Sequence, residues 1–456
     1  MMRKTLSELA AMLGTDAPAA RFKDVIVDGA SINTRTIQPQ NLFIPFKGER
    51  TDGHKYARQA IENGAGASLW QKDVPNPPED LPLVLVNDSE KALQKLASEY
   101  RKEQHFKVVA ITGSNGKTTT KDMIAGVLSK QFAVQKTEGN LNNQLGLPLT
   151  LLNIKENTDV AVLEMGMSGF GEISLLSTIA QPDIAVITNI GESHLQDLGS
   201  REGIAKAKFE ITDGLGENGL LFYYGDEPLL QELVAQTPGI KSASYGYSET
   251  NGLYPKEVEI SDEGSRVQLG SERCDWITIP VLGRHNVLNG LAAIRVALHL
   301  GMSAKEISEG FSAMEMTSMR MERVTGAAGE IFINDAYNAS PTSVRAALGF
   351  LKEAKAEGKK IAVLGDMLEL GEMEEEFHRA IGREIDFTQI NALFTFGPRS
   401  KWMAEEAGRL SGNVFSFEDD HAALAEELRK HVAAGDLILV KGSRGMALEK
   451  VIEAFK

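Results

Sequence analysis

The amino-acid sequence predicts an α/β protein of three domains. Its 456 residues exceed what one hydrophobic core usually supports, and this length suggests about three domains. An apolar, β-branched run at 108–111 precedes a glycine-rich turn and a helical pattern at 117–131. Strand and helix patterns then alternate along residues 318–456, which is typical of a doubly wound, largely parallel sheet. We therefore expect domains at 1–105, 106–317 and 318–456.

The first 105 residues show short strand and helix patterns and two polar segments, 31–35 and 46–54. The expected elements are a helix at 6–13, strands at 25–33 and 41–46, and a helix at 57–63. One interpretation of the polar segments is a solvated loop in which Asp52 or Thr51 caps the next helix. The other is a site for an anionic ligand. Its candidate residues are Arg35, Lys47 and His54. The residues alone leave both interpretations open.

The glycine-rich turn has the features of a phosphate-binding loop. Gly113 and Gly116 permit a tight turn whose backbone N–H groups face an anion. Lys117 opens the next helix, whose positive N-terminus favours phosphate. Lys117 is placed to reach the β- and γ-phosphates, and the Thr118 hydroxyl to reach Mg²⁺. The loop is shorter than the pattern G-x-x-x-x-G-K-[ST], because Ile111 stands at the first glycine position. An ordinary strand-to-helix turn is the alternative.

Two further strands of the middle segment, at 159–165 and 184–189, end in polar residues. Open α/β sheets bind their ligands at the carboxyl ends of the strands. Glu164 is a candidate Mg²⁺ ligand because a carboxylate is a hard oxygen donor. His194 is a candidate contact for a metal or a phosphate. A helix cap or a solvated loop would also explain either residue.

Two helical patterns of the middle segment carry other polar candidates. Lys206 and Lys208 are two residues apart in the helix expected at 203–213, so they do not share a face. We expect at most one of them to point into a cleft, and solvent is the default for either. Asn286 and Asn289 stand in the first turns of a later helix, where their amides read an adenine edge or, for Asn286, cap the helix.

Composition narrows the class of protein. A net charge of -15 argues against binding of nucleic acid or anionic membranes. The single cysteine, Cys274, excludes an internal disulfide framework. It lies in residues 245–280, whose alternation predicts antiparallel hairpins, and its polar surroundings make it a poor nucleophile. The N-terminus lacks the apolar core of a signal peptide, and no apolar run approaches the ~20 residues of a membrane span. We expect a cytoplasmic protein.

Several motifs resemble those of the Mur ligases, the ATP-dependent amide-forming enzymes of peptidoglycan synthesis. These motifs are 112–119, 139–143 and 283–289. Within the family, other segments look like the branch that adds D-alanyl-D-alanine to UDP-MurNAc-tripeptide. They are 335–341, 363–371 and 440–444, together with 41–54, which is similar to that branch's UDP-binding domain. The resemblance covers essentially the whole chain.

The resemblance implies a division of labour among the three domains. Residues 1–105 would be an α/β domain that binds the UDP-linked substrate. Residues 106–317 would be a P-loop ATPase-like domain with a mostly parallel sheet, and 318–456 a Rossmann-like lid. ATP would phosphorylate the terminal carboxylate of the tripeptide, and the amine of D-Ala-D-Ala would attack the acyl phosphate. ATP, Mg²⁺ and these two small-molecule substrates are the implied partners of a monomer that binds no nucleic acid and inserts into no membrane.

The resemblance also implies roles for individual residues. ATP contacts would be Gly113, Ser114, Asn115, Gly116, Lys117, Thr118, Thr119, His285, Asn286, Asn289, Arg320 and Asp335. Catalytic residues would be Lys117, Lys208, His194, Asn142 and Asn143, and the Mg²⁺ ligands Thr118, Glu164, His194 and Lys208 as a carbamate. The UDP-substrate would contact Ser31, Thr34, Arg35, Phe46, Lys47, Asp52 and His54, and the dipeptide Tyr337, Asn338 and Ser340. Two residues depart from the family pattern: Ser340 stands where Asn is frequent, and Met319 where a glycine usually precedes the arginine.

Three competing interpretations remain. A sister Mur ligase or a folylpolyglutamate synthase-like enzyme would share the ATP machinery and differ in acceptor and amine, but the N-terminal domain argues against the folate enzyme. A P-loop switch or motor would hydrolyse ATP without an amine acceptor. A pure nucleotide-binding module would leave Glu164, His194 and Lys208 without a shared purpose.

Overall fold

A computed structural model of the chain describes residues 1–48, 51–261, 263–270 and 276–456. The chain forms two compact units that interleave along the sequence. The first consists of Met1–Thr112, Phe132–Val186 and Glu210–Leu221, and the second of Gly113–Gln131, Ile187–Phe209 and Phe222–Lys456. Cys274 lies outside the described residues, so the interpretation of it stays a prediction.

The elements alternate as expected for an α/β protein. The strands are β1 (Arg3–Thr5), β2 (Ile26–Asp28), β3 (Ala30–Ser31), β4 (Leu42–Phe43), β5 (Ala67–Gln71), β6 (Leu83–Val86), β7 (Lys107–Thr112), β8 (Val134–Lys136), β9 (Val160–Glu164), β10 (Ile184–Ile187), β11 (Leu220–Tyr224), β12 (Ser242–Tyr245), β13 (Pro255–Ser261), β14 (Gly264–Leu269), β15 (Trp276–Ile279), β16 (Glu322–Thr325), β17 (Ile331–Asn334), β18 (Lys360–Gly365), β19 (Ala392–Phe396), β20 (Val414–Phe417) and β21 (Leu437–Lys441). The helices are α1 (Leu6–Leu13), α2 (Ala57–Glu62), α3 (Ser89–Lys102), α4 (Lys117–Leu128), α5 (Gly146–Leu152), α6 (Glu172–Ala180), α7 (Leu195–Leu198), α8 (Arg201–Phe209), α9 (Pro228–Ala235), α10 (His285–His299), α11 (Ala304–Ser312), α12 (Pro341–Glu353), α13 (Glu374–Glu384), α14 (Ser400–Gly408), α15 (His421–His431) and α16 (Glu449–Glu453).

The first unit opens with a small parallel sheet of order β3-β4-β5-β6. One face of it packs against α2 through buried Phe43, Ala60 and Trp70. The strand expected at 25–33 is broken, because Gly29 adopts a left-handed φ of 69° and separates β2 from β3. That conformation is open to glycine at little cost, so the chain turns there rather than continuing as one strand.

A second sheet of the first unit contains neighbouring strands in the order β7-β9-β8. In the first unit β7 and β8 both pair with β9 in parallel. The apolar run Val108, Val109, Ala110 and Ile111 is fully buried in β7, which confirms the strand predicted there. The expected helix at 203–213 is shorter, since α8 ends at Phe209 and a 3-10 turn follows at Glu210–Gly214.

The second unit contains an antiparallel sheet of order β13-β14-β15. It confirms the hairpins expected between residues 245 and 280. A larger sheet has the order β16-β17-β21-β18-β19-β20. Its last five strands pair in parallel, whereas β16 joins antiparallel at the edge. Sequence periodicity did not predict β16, which is short and half-exposed.

Alternate residues along the strands of this larger sheet pack into two separate hydrophobic cores. Ile333 and Leu364 face α12, α13 and α14. Phe332 and Val363, their neighbours in sequence, face α15 and α16. Since successive strand residues point to opposite faces, helices cover both sides, and the predicted doubly wound architecture is confirmed. Within the described part of the chain, no helix is both long and apolar enough to cross a membrane.

Candidate active site

The glycines of the predicted phosphate loop are required by the geometry around them. Gly113 has φ 148° and Gly116 has φ 79°, values that side-chain-bearing residues rarely adopt. A Cβ atom on Gly113 would collide with the Thr188 hydroxyl, and one on Gly116 with the Asn289 amide. The loop is therefore held tight on both sides by neighbouring side chains.

Backbone and amide groups pin the middle of the loop. The Asn115 N–H donates to Asn189 Oδ1 at 3.0 Å, and the Thr188 hydroxyl donates to the Asn115 carbonyl at 2.6 Å. The Ser114 hydroxyl is buried and has no hydrogen-bond partner among the described residues. A buried polar atom without a partner is costly, so this hydroxyl is suited to meet a ligand.

The loop leads directly into α4, whose first residue is Lys117. The N-cap is Gly116, which has no side chain to occupy the first amides of the helix. Such an N-terminus favours an anion through its unpaired N–H groups and the helix dipole. The Lys117 ammonium folds back over the loop and donates to the Gly113 carbonyl at 2.8 Å. Thr118 and Thr119 are buried in the first turn.

Lys206 and Lys208 differ sharply on α8. Lys206 is exposed, but Lys208 is only 1% exposed. The solvent default was therefore wrong for Lys208 and is confirmed for Lys206. Burial lowers the pKa of Lys208 well below its ordinary value, and the positive charge of Lys117 lowers it further. Both effects disfavour the charged form of the Lys208 amine.

Glu164 and Asn142 meet in the first unit. Glu164 ends β9 and is 3% exposed. Its Oε1 accepts a hydrogen bond from Asn142 Nδ2 at 2.8 Å, while its Oε2 is buried without a partner among the described residues. A carboxylate oxygen left in this way fits a divalent cation. Asn143 has a structural contact, because its Oδ1 accepts from the Gly146 N–H at the start of α5.

His194 precedes α7 in a left-handed conformation, with φ 65°. Its Nδ1 lies 3.0 Å from Glu369 Oε2. Within the described residues, no group of three or more His, Cys, Asp or Glu side chains is arranged to hold a metal.

Arg320 reaches the start of α4 from the segment before β16. Its Nη2 donates to the Thr118 hydroxyl at 3.0 Å, and its Cζ lies 4.0 Å from the centroid of the Tyr337 ring. Its Nε is buried and unpartnered. Met319 and Met321 on either side have φ 61° and 52°, so Met319 adopts the left-handed backbone that a glycine would supply more easily.

Asp335 lies among cationic groups. Its Oδ2 accepts from the buried Lys441 ammonium at 2.6 Å, and Lys441 also donates to the Asn338 carbonyl. Burial lowers the pKa of His285, and Lys441 adds to that effect although Asp335 opposes it. Ser340 caps α12, and its hydroxyl donates to Asn115 Oδ1 at 2.9 Å.

The amides predicted to read adenine point into the protein. Asn286 Nδ2 donates to the Leu282 carbonyl and Asn289 Nδ2 to Asn286 Oδ1. Asn289 Oδ1 in turn accepts from the Thr120 hydroxyl. The alternative role of Asn286 as a helix cap is wrong, because Arg284 is the N-cap and makes no side-chain cap. The two amides instead tie α10 to α4 beside Gly116.

The N-terminal polar segments surround a cavity of about 590 Å³. Thr34, Arg35 and Phe46 line it. The sequence did not single out Tyr56 and Gln59, which also line it; their three-residue spacing on the helical turn after Asp52 was the available signal.

The other candidates of this region are engaged within the fold. The Lys47 ammonium pairs with Asp73 at 2.5 Å. His54 is 2% exposed; its Nδ1 contacts Asp52 Oδ1 at 2.6 Å and its Nε2 accepts from the Gln71 N–H. Asp52 also accepts from the His54 N–H, so its predicted capping role is confirmed. The Ser31 hydroxyl donates to the Asn33 carbonyl.

Fold and site together define an α/β nucleotide-binding protein with a phosphate loop. Three family models match the chain: "Mur ligase family, catalytic domain" at 27–101, "Mur ligase middle domain" at 111–297 and "Mur ligase, glutamate ligase domain" at 319–444. A UDP-N-acetylmuramoyl-tripeptide–D-alanyl-D-alanine ligase of Bacillus subtilis is 46% identical and covers 99% of this chain and 98% of its own. The chain belongs to the Mur ligase family.

Solved structures agree with this assignment. MurF from Acinetobacter baumannii superposes with a TM-score of 0.90 at 29% identity, covering 100% of this chain and 99% of that one. MurF from Thermotoga maritima in complex with ADP gives 0.82 at 30% identity, covering 94% and 97%. The resemblance stated from the motifs and the three-domain α/β architecture are thereby confirmed. The domain boundaries at 105 and 317 stay a prediction.

Proposed function

We propose that this protein forms the amide bond between UDP-MurNAc-tripeptide and D-alanyl-D-alanine, using ATP, in peptidoglycan synthesis. One observation supports it above the others. Arg320, from the C-terminal segment, reaches the Thr118 hydroxyl at the first turn of α4, beside Lys117 and the buried loop hydroxyl of Ser114. The chain is similar over its full length to a ligase of this reaction. We take the identity of the acceptor and of the amine from that similarity.

In the first step the tripeptide carboxylate attacks the γ-phosphorus of ATP, ADP leaves, and an acyl phosphate forms. Loop amides from Gly113 to Thr119 bind the phosphates, and Lys117 and Arg320 neutralise charge on the transferred group. Asp335 is placed for the ribose, and His285, Asn286 and Asn289 shape the nucleotide side of α10. The enzyme's contribution is positioning and charge neutralisation.

In the second step the amine of D-Ala-D-Ala attacks the acyl carbon, and the tetrahedral intermediate loses phosphate and a proton. Tyr337, Asn338 and Ser340 are assigned to the dipeptide. Tyr337 lies under the Arg320 guanidinium and Asn338 is exposed. Ser340 is committed to capping α12, so we assign it to positioning this segment rather than to direct binding.

Thr118, Glu164, His194 and a carbamate on Lys208 are the proposed ligands of Mg²⁺. Bound Mg²⁺ would neutralise phosphate oxygens during transfer. The buried, unpartnered Oε2 of Glu164 fits this assignment, and Asn142 orients that carboxylate. Asn143 stabilises the adjoining turn.

The burial of Lys208 supports its assignment as a carbamate. A carbamate forms when the unprotonated amine attacks CO₂, which makes an N–C bond and releases one proton. The product is an anionic oxygen ligand in place of a cation, which a Mg²⁺ site accepts. Burial and the charge of Lys117 lower the pKa of Lys208, and this favours the unprotonated amine.

We assign the N-terminal cavity to the UDP part of the substrate. Thr34, Arg35 and Phe46 would contact it, with Arg35 facing the diphosphate. Ser31, Lys47, Asp52 and His54 would shape the cavity from behind through the contacts described above. We further propose that the protein acts in the cytoplasm, where ATP is made, and as a monomer.

The test is phosphate release from ATP and Mg²⁺ with UDP-MurNAc-tripeptide, measured with and without D-Ala-D-Ala. Release that depends on the dipeptide, with a product heavier by one dipeptide, is the expected result. Steady release indifferent to both substrates would indicate a switch or motor ATPase. Release only with an amino acid such as glutamate would indicate a sister ligase.

A further inference from the structure

Glu369 contacts a proposed metal-binding residue and has no role so far. Its Oε2 lies 3.0 Å from His194 Nδ1. Glu369 follows β18 in the C-terminal sheet, whereas His194 follows β10, and 175 positions of sequence separate them. Gly371, two residues on, packs so closely on Gln196 that a Cβ atom would come within 3.2 Å of it.

The segment that carries Glu369 is anchored from behind. Asp366 is fully buried, and its Oδ1 accepts from the Ser400 N–H and hydroxyl at 2.6 and 2.7 Å. The Met367 N–H donates to His378 Nε2 and the Leu368 N–H to the Ser443 hydroxyl. These contacts fix the backbone before Glu369 and leave its side chain to project outward.

The contact between Glu369 and His194 contributes little to the folding free energy. The Glu369 side chain is 60% exposed, and exposed ion pairs add little to folding free energy. Yet Glu369 adopts a left-handed φ of 64°, and so does its partner, with φ 65° for His194. Strained backbone on both sides of a weak pair indicates that the geometry itself is used.

We propose that Glu369 is a positioning residue that binds the Nδ1–H of His194 and thereby presents Nε2 to the divalent cation. A ligating histidine commonly donates its other N–H to a carboxylate, which fixes the tautomer and the ring orientation. Here the carboxylate comes from the C-terminal sheet, so cation affinity depends on that sheet being docked at His194. The inference rests on the proposed function, because it takes His194 as a metal contact.

The experiment measures binding of Mn²⁺ by electron paramagnetic resonance in the full-length protein with a non-hydrolysable ATP analogue. The variants are Glu369→Ala, Glu369→Gln, His194→Ala and the double variant. Glu372→Ala is the matched control, since Glu372 is an exposed carboxylate three residues away. We expect Glu369→Ala to weaken Mn²⁺ binding about 10- to 100-fold. Glu369→Gln should retain most affinity because its amide oxygen still accepts the N–H, and Glu372→Ala should match wild type.

The double variant separates positioning from any direct role. If Glu369 acts only through His194, the double variant binds Mn²⁺ as weakly as His194→Ala and no weaker. An additive loss, or wild-type affinity for Glu369→Ala, would overturn the inference. If wild type shows no nucleotide-dependent Mn²⁺ site, or His194→Ala is without effect, the proposed metal assignment fails instead.

Discussion

The phosphate loop and the N-terminal polar segments were both predicted as anion sites, yet their side chains are used differently. In the loop, the Lys117 ammonium donates to the Gly113 carbonyl, four residues earlier in the same turn. In the N-terminal region, Lys47 pairs with Asp73 and His54 is buried between Asp52 and Gln71. Arg35 is exposed at the cavity. A motif that depends on local backbone geometry can thus be predicted from sequence. Ion pairs and hydrogen bonds between distant residues cannot.

The largest effect is expected at the loop. Lys117→Ala removes the ammonium proposed for the γ-phosphate, and turnover should fall at least about 10²- to 10³-fold with the melting temperature unchanged. Phosphate release and circular dichroism measure the two quantities. Lys206→Ala, an exposed lysine, is the control. Near-normal turnover of Lys117→Ala would contradict the role of Lys117 in the phosphate loop. The loop would then not differ from the N-terminal polar segments in how its lysine is used.

Lys208→Ala tests whether the buried lysine acts as a carbamate. Turnover should fall on the order of 10²-fold, the scale of one charge-stabilising group, and short carboxylic acids should restore part of it by filling the space with an oxygen ligand. Lys206→Ala should be active with or without added acid. Rescue of Lys206→Ala in place of Lys208→Ala would move the site to the other lysine.

Gly116→Ala tests the packing of the loop. It combines a left-handed backbone with a collision at Asn289, so the free energy of unfolding should fall by about 2–4 kcal/mol in urea. Gly301→Ala is matched, because Gly301 has φ 89° and no atom within 4 Å of its Cβ position; it should lose only about 1 kcal/mol. Equal losses of unfolding free energy in the two variants would mean that the Asn289 side chain moves aside for the added methyl group.

In the N-terminal region, Arg35→Ala and His54→Ala should separate binding from folding. Arg35→Ala should raise KM for the UDP-substrate about tenfold, as loss of one charged hydrogen bond predicts, and leave the free energy of unfolding unchanged. His54→Ala should lower that free energy by about 2–3 kcal/mol, since it removes a side chain that is 2% exposed together with its hydrogen bonds to Asp52 and to the Gln71 N–H. Steady-state kinetics and urea unfolding distinguish them; the reverse pattern would make His54 the ligand.

The smallest effect is expected from Asp52→Asn. Partial burial acts to raise the pKa of Asp52, but hydrogen bonds from the His54 N–H and ring outweigh it, and the pKa is lowered. Because the folded pKa lies below the unfolded one, the stability it contributes is present at neutral pH and is lost as pH falls below about 4. The difference between wild type and Asp52→Asn should be under about 1 kcal/mol at pH 6 and should shrink as pH falls below about 4. A constant difference would exclude the charge as its cause.

Much of the fold was predictable because its signals are local. Apolar alternation located the strands of the C-terminal sheet, and the glycines of the phosphate loop marked its turn. The burial of Lys208 was not predictable. Lys206 and Lys208 lie on the same short helix, and nothing in the sequence distinguishes the buried lysine from the exposed one. Nor was the contact of Ser340 with Asn115 predictable, or that of Glu369 with His194, because each joins residues more than 150 positions apart.

The strand order of the C-terminal sheet has an evolutionary consequence. Asp335, Lys441 and Glu369 stand at or just after the carboxyl ends of β17, β21 and β18, which are neighbours. A change in the loops at the carboxyl ends of these strands can alter which molecule is accepted without disturbing either hydrophobic core, since function resides in loops on a rigid scaffold. Substrate preference and foldability can therefore be inherited separately.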